Sequence, residues 1–293
     1  MSKVQRLKMA KPAKFDFIRT VQSHGWFDLL PFEFDEERAK LSFVAGSGVG
    51  TFVKCSVADG GETITVEVVG DEVNRAEIER QVRHILRLDE SFELFYGMLE
   101  ADKVLHWVPS RSSGRLLRSP TVFEDLVKTI CTTNCSWAMT KIMVTNLVEK
   151  LGEPVGNRRA FPTPEVMASV PLEFYKDEIR AGYRSAYFVE LAGRVAAGEL
   201  LPEGWLTSVL TTAELKKEIK QVKGVGDYAA ENLLKLLGRY DGLALDSWLR
   251  AQFYKKHCAG AACDDKKIAK HYHHFGEWKG LAIWCDMTED WFE

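Results

Sequence analysis

The sequence predicts an α+β chain: a small antiparallel β domain over residues 1–100, then helices over residues 101–293. Three observations predict it. "ETITVEVV" (62–69) alternates strictly, with Ile64, Val66 and Val68 on one face and Thr63, Thr65 and Glu67 on the other, as in a half-buried strand. After residue 75 the apolar spacing changes from two residues to about 3.6, the helical period. Nearly everything later is helix pattern punctuated by turns.

The elements follow in order. "FVKCSV" (52–57) and "ETITVEVV" read as hairpin partners across the turn residues "DGG" (59–61). "AEIERQVRHILRL" (76–88) lines Ile78, Val82, Ile85 and Leu86 along one side, an amphipathic helix. "SPTVFEDLVKTI" offers Thr121 as N-cap with Glu124 three residues on, the pattern of a capping box. "EKLGEP" ends a helix at Gly152 with a proline beyond, and "FPTPEVM" starts one with Thr163 as cap and Pro164 in the first turn. Further on, "TAELKKEIKQV" is a helix with Leu215 and Ile219 on its apolar face. "KGVG" is a tight turn, and "DYAAENLLKLLGR" is a second helix capped by Asp227. No internal repeat or low-complexity segment interrupts the chain.

Composition bounds the function. A length of 293 residues allows two or three domains, and 46% hydrophobic with 28% charged residues is ordinary for a globular core. No apolar run approaches the ~20 residues that span a bilayer, and the basic start lacks a signal peptide's apolar stretch. No membrane role is expected. Six cysteines make no disulfide framework, and the Cys131/Cys135 and Cys258/Cys263 spacings fit no zinc pattern. The expected compartment is the reducing cytoplasm, at the nucleoid if the source is bacterial. A net charge of −3 excludes a global basic field, so any nucleic-acid footprint is local.

The hairpin over 213–240 is the place for one. Gly224 and Gly226 let the backbone turn sharply and come close to a ligand. Together with Lys223, Val225 and the next helix's N-terminus, they make an anion site suited to a nucleic-acid phosphate. Backbone groups hold such a phosphate without sequence preference. Between Ala213 and Tyr240 six cations oppose four acids, a local balance of +2. "KVLHWVPSRSSGRLLR" (103–118) adds Lys103, Arg111, Arg115 and Arg118 with no acid. The same glycines also suit a plain helix–helix turn.

Asp246 in "LALDSWLR" lies twenty positions beyond Gly226. With it, "KGVGDYAAENLL…LALD" resembles the helix-hairpin-helix DNA glycosylases, in the branch containing the 3-methyladenine and 8-oxoguanine enzymes. The resemblance extends to "SPTVFEDLVKTICTTNCSWAMTKIMVTNLVEKLG" (119–152), "AGYRSAYFVELA" (181–192), "FGEWKGLAIW" (275–284) and the strand-rich start, nearly the whole chain. It implies a two-lobed all-helical glycosylase core behind the β domain, its cleft between the lobes. The implied partner is double-stranded DNA carrying damaged bases, bound by a monomer. The resemblance further implies that no cofactor is needed for catalysis and that a monovalent cation, Na or K, binds at the hairpin carbonyls of Gly224 and Gly226.

Cleaving an N-glycosidic bond develops positive charge on the deoxyribose, and a carboxylate beside it stabilises that charge and orients water. The resemblance gives this role to Asp246, which could equally cap the helix "SWLRAQF". Bifunctional members carry a Schiff-base lysine where this chain has Tyr228. Lys223 lies before the hairpin and Lys235 two turns into the helix, so neither replaces it. The expected reaction is therefore hydrolysis without lyase activity. An aromatic residue at 228 resembles the 3-methyladenine branch, where it stacks on an alkylated purine; packing in the core is its other reading. Trp284 matches a base-stacking position. Gly280 stands in place of a base-reading glutamine, and Asn232 in place of a cysteine, of the 8-oxoguanine enzymes. Gly25 in "SHGWF" resembles the residue whose carbonyl reads 8-oxoguanine, and Trp26 beside it could join the pocket; both tryptophans could equally be core. Asn134 matches the residue that probes the vacated space. Tyr183 matches the wedge and Arg184 the contact to the orphaned base, while Met139 replaces an arginine for the orphan cytosine. Alkylated purines are the first expectation. An 8-oxoguanine-type enzyme and a catalytically silent damage-binding relative are the alternatives.

Overall fold

The computed structural model describes residues 3–292. The chain divides into two compact units, Met1–Asp89 with Arg115–Gly204, and Glu90–Gly114 with Trp205–Glu293.

The first unit holds a five-stranded antiparallel sheet of β1 (Val4–Ala10), β2 (Glu33–Asp35), β3 (Lys40–Gly48), β4 (Thr51–Asp59) and β5 (Thr63–Val69), in the order β1-β5-β4-β3-β2. The alternation in β5 is realised as expected: Ile64, Val66 and Val68 are fully buried, and Thr63, Thr65 and Glu67 are half-buried. Register pairs Val66 with Val57 and Val68 with Cys55, so two strands stack their apolar sides on one face. The helix Arg75–Ile85 packs there through Ile78, Val82 and Ile85, with Asn74 as its N-cap.

The remaining helices of this unit include Val122–Thr132, Trp137–Leu151, Pro164–Ala168 and Ser185–Ala196. Thr121 caps as expected, accepting from the Glu124 amide at 3.2 Å. The Glu124 carboxylate instead meets the Lys128 ammonium at 2.6 Å, both side chains being buried. Gly152 ends its helix at φ −70°, not in the left-handed region. Glycine is needed there because a Cβ would run into the carbonyls of Ala160 and Val148. Arg115 and Arg118 do not form a basic surface: both are buried, and Arg115 donates to the Arg87 carbonyl at 2.5 Å. Burial of a charged stem among backbone carbonyls leaves no trace in a charge count.

The second unit is helical, with Glu93–Leu99, Thr212–Ile219, Asp227–Leu236, Ser247–His257, Asp265–Tyr272 and Lys279–Met287. Trp278 stacks on Phe95 and on Tyr240, each at 5.2 Å between ring centroids, and so ties the early helix to the later ones. The hairpin's first helix starts with a full capping box, Thr211 with Glu214. Asp227 is not the cap of the second helix. Gly226 holds that place, and Asp227 pairs instead with Lys216 at 2.9 Å and Lys220 at 3.0 Å. Among the described residues no helix is long and apolar enough to cross a membrane.

Candidate active site

The hairpin's second helix meets the loop 240–246 near Asp246, and Trp284 of the closing helix lies beside Lys235 of that same helix. Asp246 is the N-cap of Ser247–His257 and accepts from the Leu249 amide at 2.7 Å, so the capping role is realised. Tyr228, in the first turn of Asp227–Leu236, is close enough to the same carboxylate to feel its charge. Burial first, and Asp246 second, push its phenol well above the usual range, so it stays protonated. Asn232, one turn on, donates to the Tyr228 carbonyl at 3.0 Å.

A further residue enters this group. Lys235 follows Tyr228 by seven positions, two turns along the same helix face, and only 2% of it is exposed. Its Nζ donates to the Leu243 carbonyl at 3.1 Å and lies 5.7 Å from the centroid of the Trp284 ring. Burial pushes its pKa down to about 8, against the pull of Glu231, Asp246 and Cys285. The signal for it was a lysine inside the apolar run "NLLKLLG". Counting distance from the glycines hid what helical phase would have shown.

The loop that delivers Asp246 is held from that helix. Ala244 adopts φ 52°, its amide donates to Glu231 Oε2 at 2.6 Å, and Glu231 Oε1 accepts from Lys216 at 2.6 Å. Two side chains of one helix thus hold the two ends of a single peptide group of the loop, that between Leu243 and Ala244. The half-buried Trp284 ring lies 6.0 Å from Trp248 and 5.6 Å from Trp291, a cluster of three tryptophans beside the ammonium.

No protein-family model and no curated protein matches this chain. Solved structures do. MBOgg1, in complex with a low-affinity DNA ligand, superposes with a TM-score of 0.77 at 20% identity over 100% of both chains. The Clostridium acetobutylicum 8-oxoguanine glycosylase/lyase, in complex with double-stranded DNA containing cytosine opposite 8-oxoguanine, gives 0.76 at 20% identity over 100% of this chain and 99% of that one. The 3-methyladenine DNA glycosylase from Archaeoglobus fulgidus gives 0.75 at 20% identity over 99% of each. The chain has the helix-hairpin-helix DNA glycosylase fold.

Within this glycosylase fold the other expected positions fall as follows. Gly224 takes φ 89°, which favours glycine, whereas Gly226 has φ −86° and open space where a Cβ would stand. Only the first glycine is demanded by the turn. Lys223 is exposed, and Val225 is buried beneath the turn with its amide on the Val222 carbonyl at 3.1 Å. The Gly226 carbonyl accepts the Ala230 amide at 2.9 Å and so begins the helix. Gly280 is a packing residue. Its amide donates to the Tyr240 carbonyl at 2.6 Å, and a Cβ would collide with the Gly242 carbonyl, so no side chain has room there.

In the first unit, Asn134, Tyr183 and Arg184 gather around Thr133. Asn134 is exposed at φ 46°, a left-handed turn residue, and Tyr183 is 53% exposed with its hydroxyl 3.4 Å from the Thr133 carbonyl. Arg184 is buried, donating to the carbonyls of Ile130 and Thr133, and so is a clasp on this helix end. A buried guanidinium bound to carbonyls is not presented to a base. Trp26 is likewise buried, its indole donating to Asp125 Oδ1 at 2.7 Å, and burial pushes that carboxyl up to about 6. Gly25 is covered by the Trp137 indole, which would stand 2.5 Å from a Cβ there and donates to Asp28 at 3.2 Å. Trp137 is a neighbour the sequence did not reveal.

One group among the described residues brings metal-ligating atoms together, His257, His271 and Asp286, within 4.8 Å of one another. Asp286 is already bound by His257 at 2.7 Å, by Tyr272 and by the Lys256 ammonium at 2.9 Å. Asp286 Oδ2 is taken by His257 and Tyr272, and the Lys256 ammonium meets its charge, so the trio is held together as an ion-paired network.

Proposed function

We propose that the chain is a monofunctional DNA glycosylase of base-excision repair, hydrolysing the N-glycosidic bond of a damaged purine flipped out of double-stranded DNA. The observation that carries this is Asp246, a carboxylate held by the Leu249 amide at 2.7 Å and close enough to the Tyr228 phenol to hold it protonated, beside the hairpin. A carboxylate so held needs no reorganisation when positive charge develops on the sugar, and it can orient the attacking water. The hairpin amides take a phosphate, and the fold's likeness to two proteins solved with DNA supports that partner. Hydrolysis is favoured over lyase chemistry because a phenol, not an amine, faces Asp246 from position 228. The protein then works as a cytoplasmic monomer without a cofactor.

The rings of Tyr228 and Trp284 suit an alkylated purine, the first expectation. The Lys235 ammonium against Trp284 is the observation that favours the alternative, a neutral oxidised purine such as 8-oxoguanine. Excision from duplexes carrying each lesion, with borohydride present, tests the proposal. Base release leaving an alkali-labile, uncut strand is expected. Borohydride trapping of an enzyme–DNA adduct would overturn hydrolysis, and binding without release from any lesion would leave a silent damage-binding protein.

A further inference from the structure

The Lys235 ammonium is a resident positive charge in the group around Asp246. It is buried, its Nζ is 5.7 Å from the Trp284 ring centroid, and it is steered there by the Leu243 carbonyl at 3.1 Å. A ring face attracts one cation through its quadrupole. On one face of Trp284 that place is taken by the Lys235 ammonium, which the Leu243 carbonyl holds at 3.1 Å. A cationic purine stacked on this ring would meet like charge in a region with little water to screen it.

The charge also bears on bond breaking. When the C1′–N9 bond of a neutral purine breaks, its electron pair leaves with N9, and the departing base is an anion until it takes a proton. Water then forms the new C1′–O bond and gives up its proton to the Asp246 carboxylate or to solvent. When the base is a cationic alkylpurine, the same electron pair neutralises it, and no anion develops. An ammonium stabilises the first departure and not the second.

We propose that Lys235 sets the charge class of base this site accepts, selecting neutral purine lesions and excluding cationic alkylated ones. This rests on the glycosylase reading of Asp246. Lys235 is then a specificity-determining residue, and its bond to Leu243 is what holds the charge in register.

The experiment compares single-turnover release of 8-oxoguanine and of N7-methylguanine from otherwise identical duplexes by wild type, Lys235→Gln and Lys235→Met. Glutamine can still donate to the Leu243 carbonyl but carries no charge. The wild type should favour the neutral base, and the neutral-to-cationic ratio should fall about tenfold or more in both variants. Equal loss on both lesions would reduce Lys235 to a structural tie and overturn the inference, as would wild-type release of the cationic base alone. Wild type releasing neither base would overturn the Asp246 reading itself. Should the variants fail to fold, the wild-type ratio measured from about pH 7 to 9.5 serves instead, because Lys235 loses its proton near 8. The groups facing it are Glu231, Asp246, Cys285 and the Trp284 ring, with Tyr228 beyond Asp246; the thiol is pushed up to about 12 and the phenol is raised too. The ratio should fall across that window, and a flat ratio would overturn the inference.

Discussion

The phenol of Tyr228 faces the carboxylate of Asp246, and after burial that carboxylate is the largest influence holding the phenol protonated. The pair brings the hairpin's second helix to the N-cap of the next. Asp246 therefore has two separable duties, capping and charge. Asp246→Asn keeps the cap, since asparagine caps as well as aspartate, so stability should change by only a few tenths of a kcal/mol. Base release should fall on the order of 10²–10³-fold, read by single-turnover excision. DNA affinity should hold or rise, because one negative charge near phosphates is gone. Near-normal excision would put the working carboxylate elsewhere.

Tyr228→Phe separates ring from hydroxyl. The stacking surface stays, so affinity for lesion-bearing DNA should be unchanged by fluorescence anisotropy. Release should drop, because the carboxylate loses the polar hydroxyl beside it. A variant as fast as wild type would mean that the ring alone matters at this position.

The two hairpin glycines should behave differently. Gly224→Ala places a side chain at φ 89° and should cost about 1–2 kcal/mol, seen as a lower denaturant midpoint. Gly226→Ala meets no neighbour within 4 Å and should leave the midpoint where it is. It should nonetheless weaken binding to damaged and undamaged duplexes alike, since its methyl stands where a phosphate would approach. Equal affinity across a salt series would make "KGVG" a plain turn.

Lys235 also leaves a mark on stability. Its folded pKa is lowered to about 8 while an unfolded lysine titrates near 10.5. Below 8 both states carry the proton, and the folded state bears the full penalty of a buried ammonium. Between 8 and about 10.5 the folded state releases it first, so wild-type stability should rise with pH. Lys235→Met should be more stable than wild type at pH 7, by about 3 kcal/mol at most, with the advantage shrinking through that window. Urea unfolding at several pH values measures it, and a constant difference would refute the buried charge.

Period and capping chemistry carried most of the fold. Ile64, Val66 and Val68, and Ile78, Val82 and Ile85, are buried as their spacing required, because alternation and amphipathicity are local properties. Asp246 and Tyr228 were singled out differently, through the resemblance carried by the hairpin and the residues after it. Residues whose meaning depends on a distant partner were misjudged. Arg184 closes on carbonyls some fifty positions earlier, Gly280 is a glycine because of the Tyr240–Gly242 backbone, and Asp227 finds Lys216 in the neighbouring helix. For Asp227 local capping propensity gave one answer and the neighbouring helix another, whereas Arg184 and Gly280 were read by resemblance and are placed by tertiary neighbours.

The clasp made by Arg184 also bears on the thermodynamics of binding. Residues 133–136, which follow Val122–Thr132, begin from a backbone already tied at Thr133. A loose segment would surrender about 1–2 kcal/mol per residue in conformational entropy on meeting a duplex. Here that loss has largely been incurred during folding. If this loop is what enters the duplex, calorimetry of DNA binding should show a smaller entropic penalty in wild type than in Arg184→Ala.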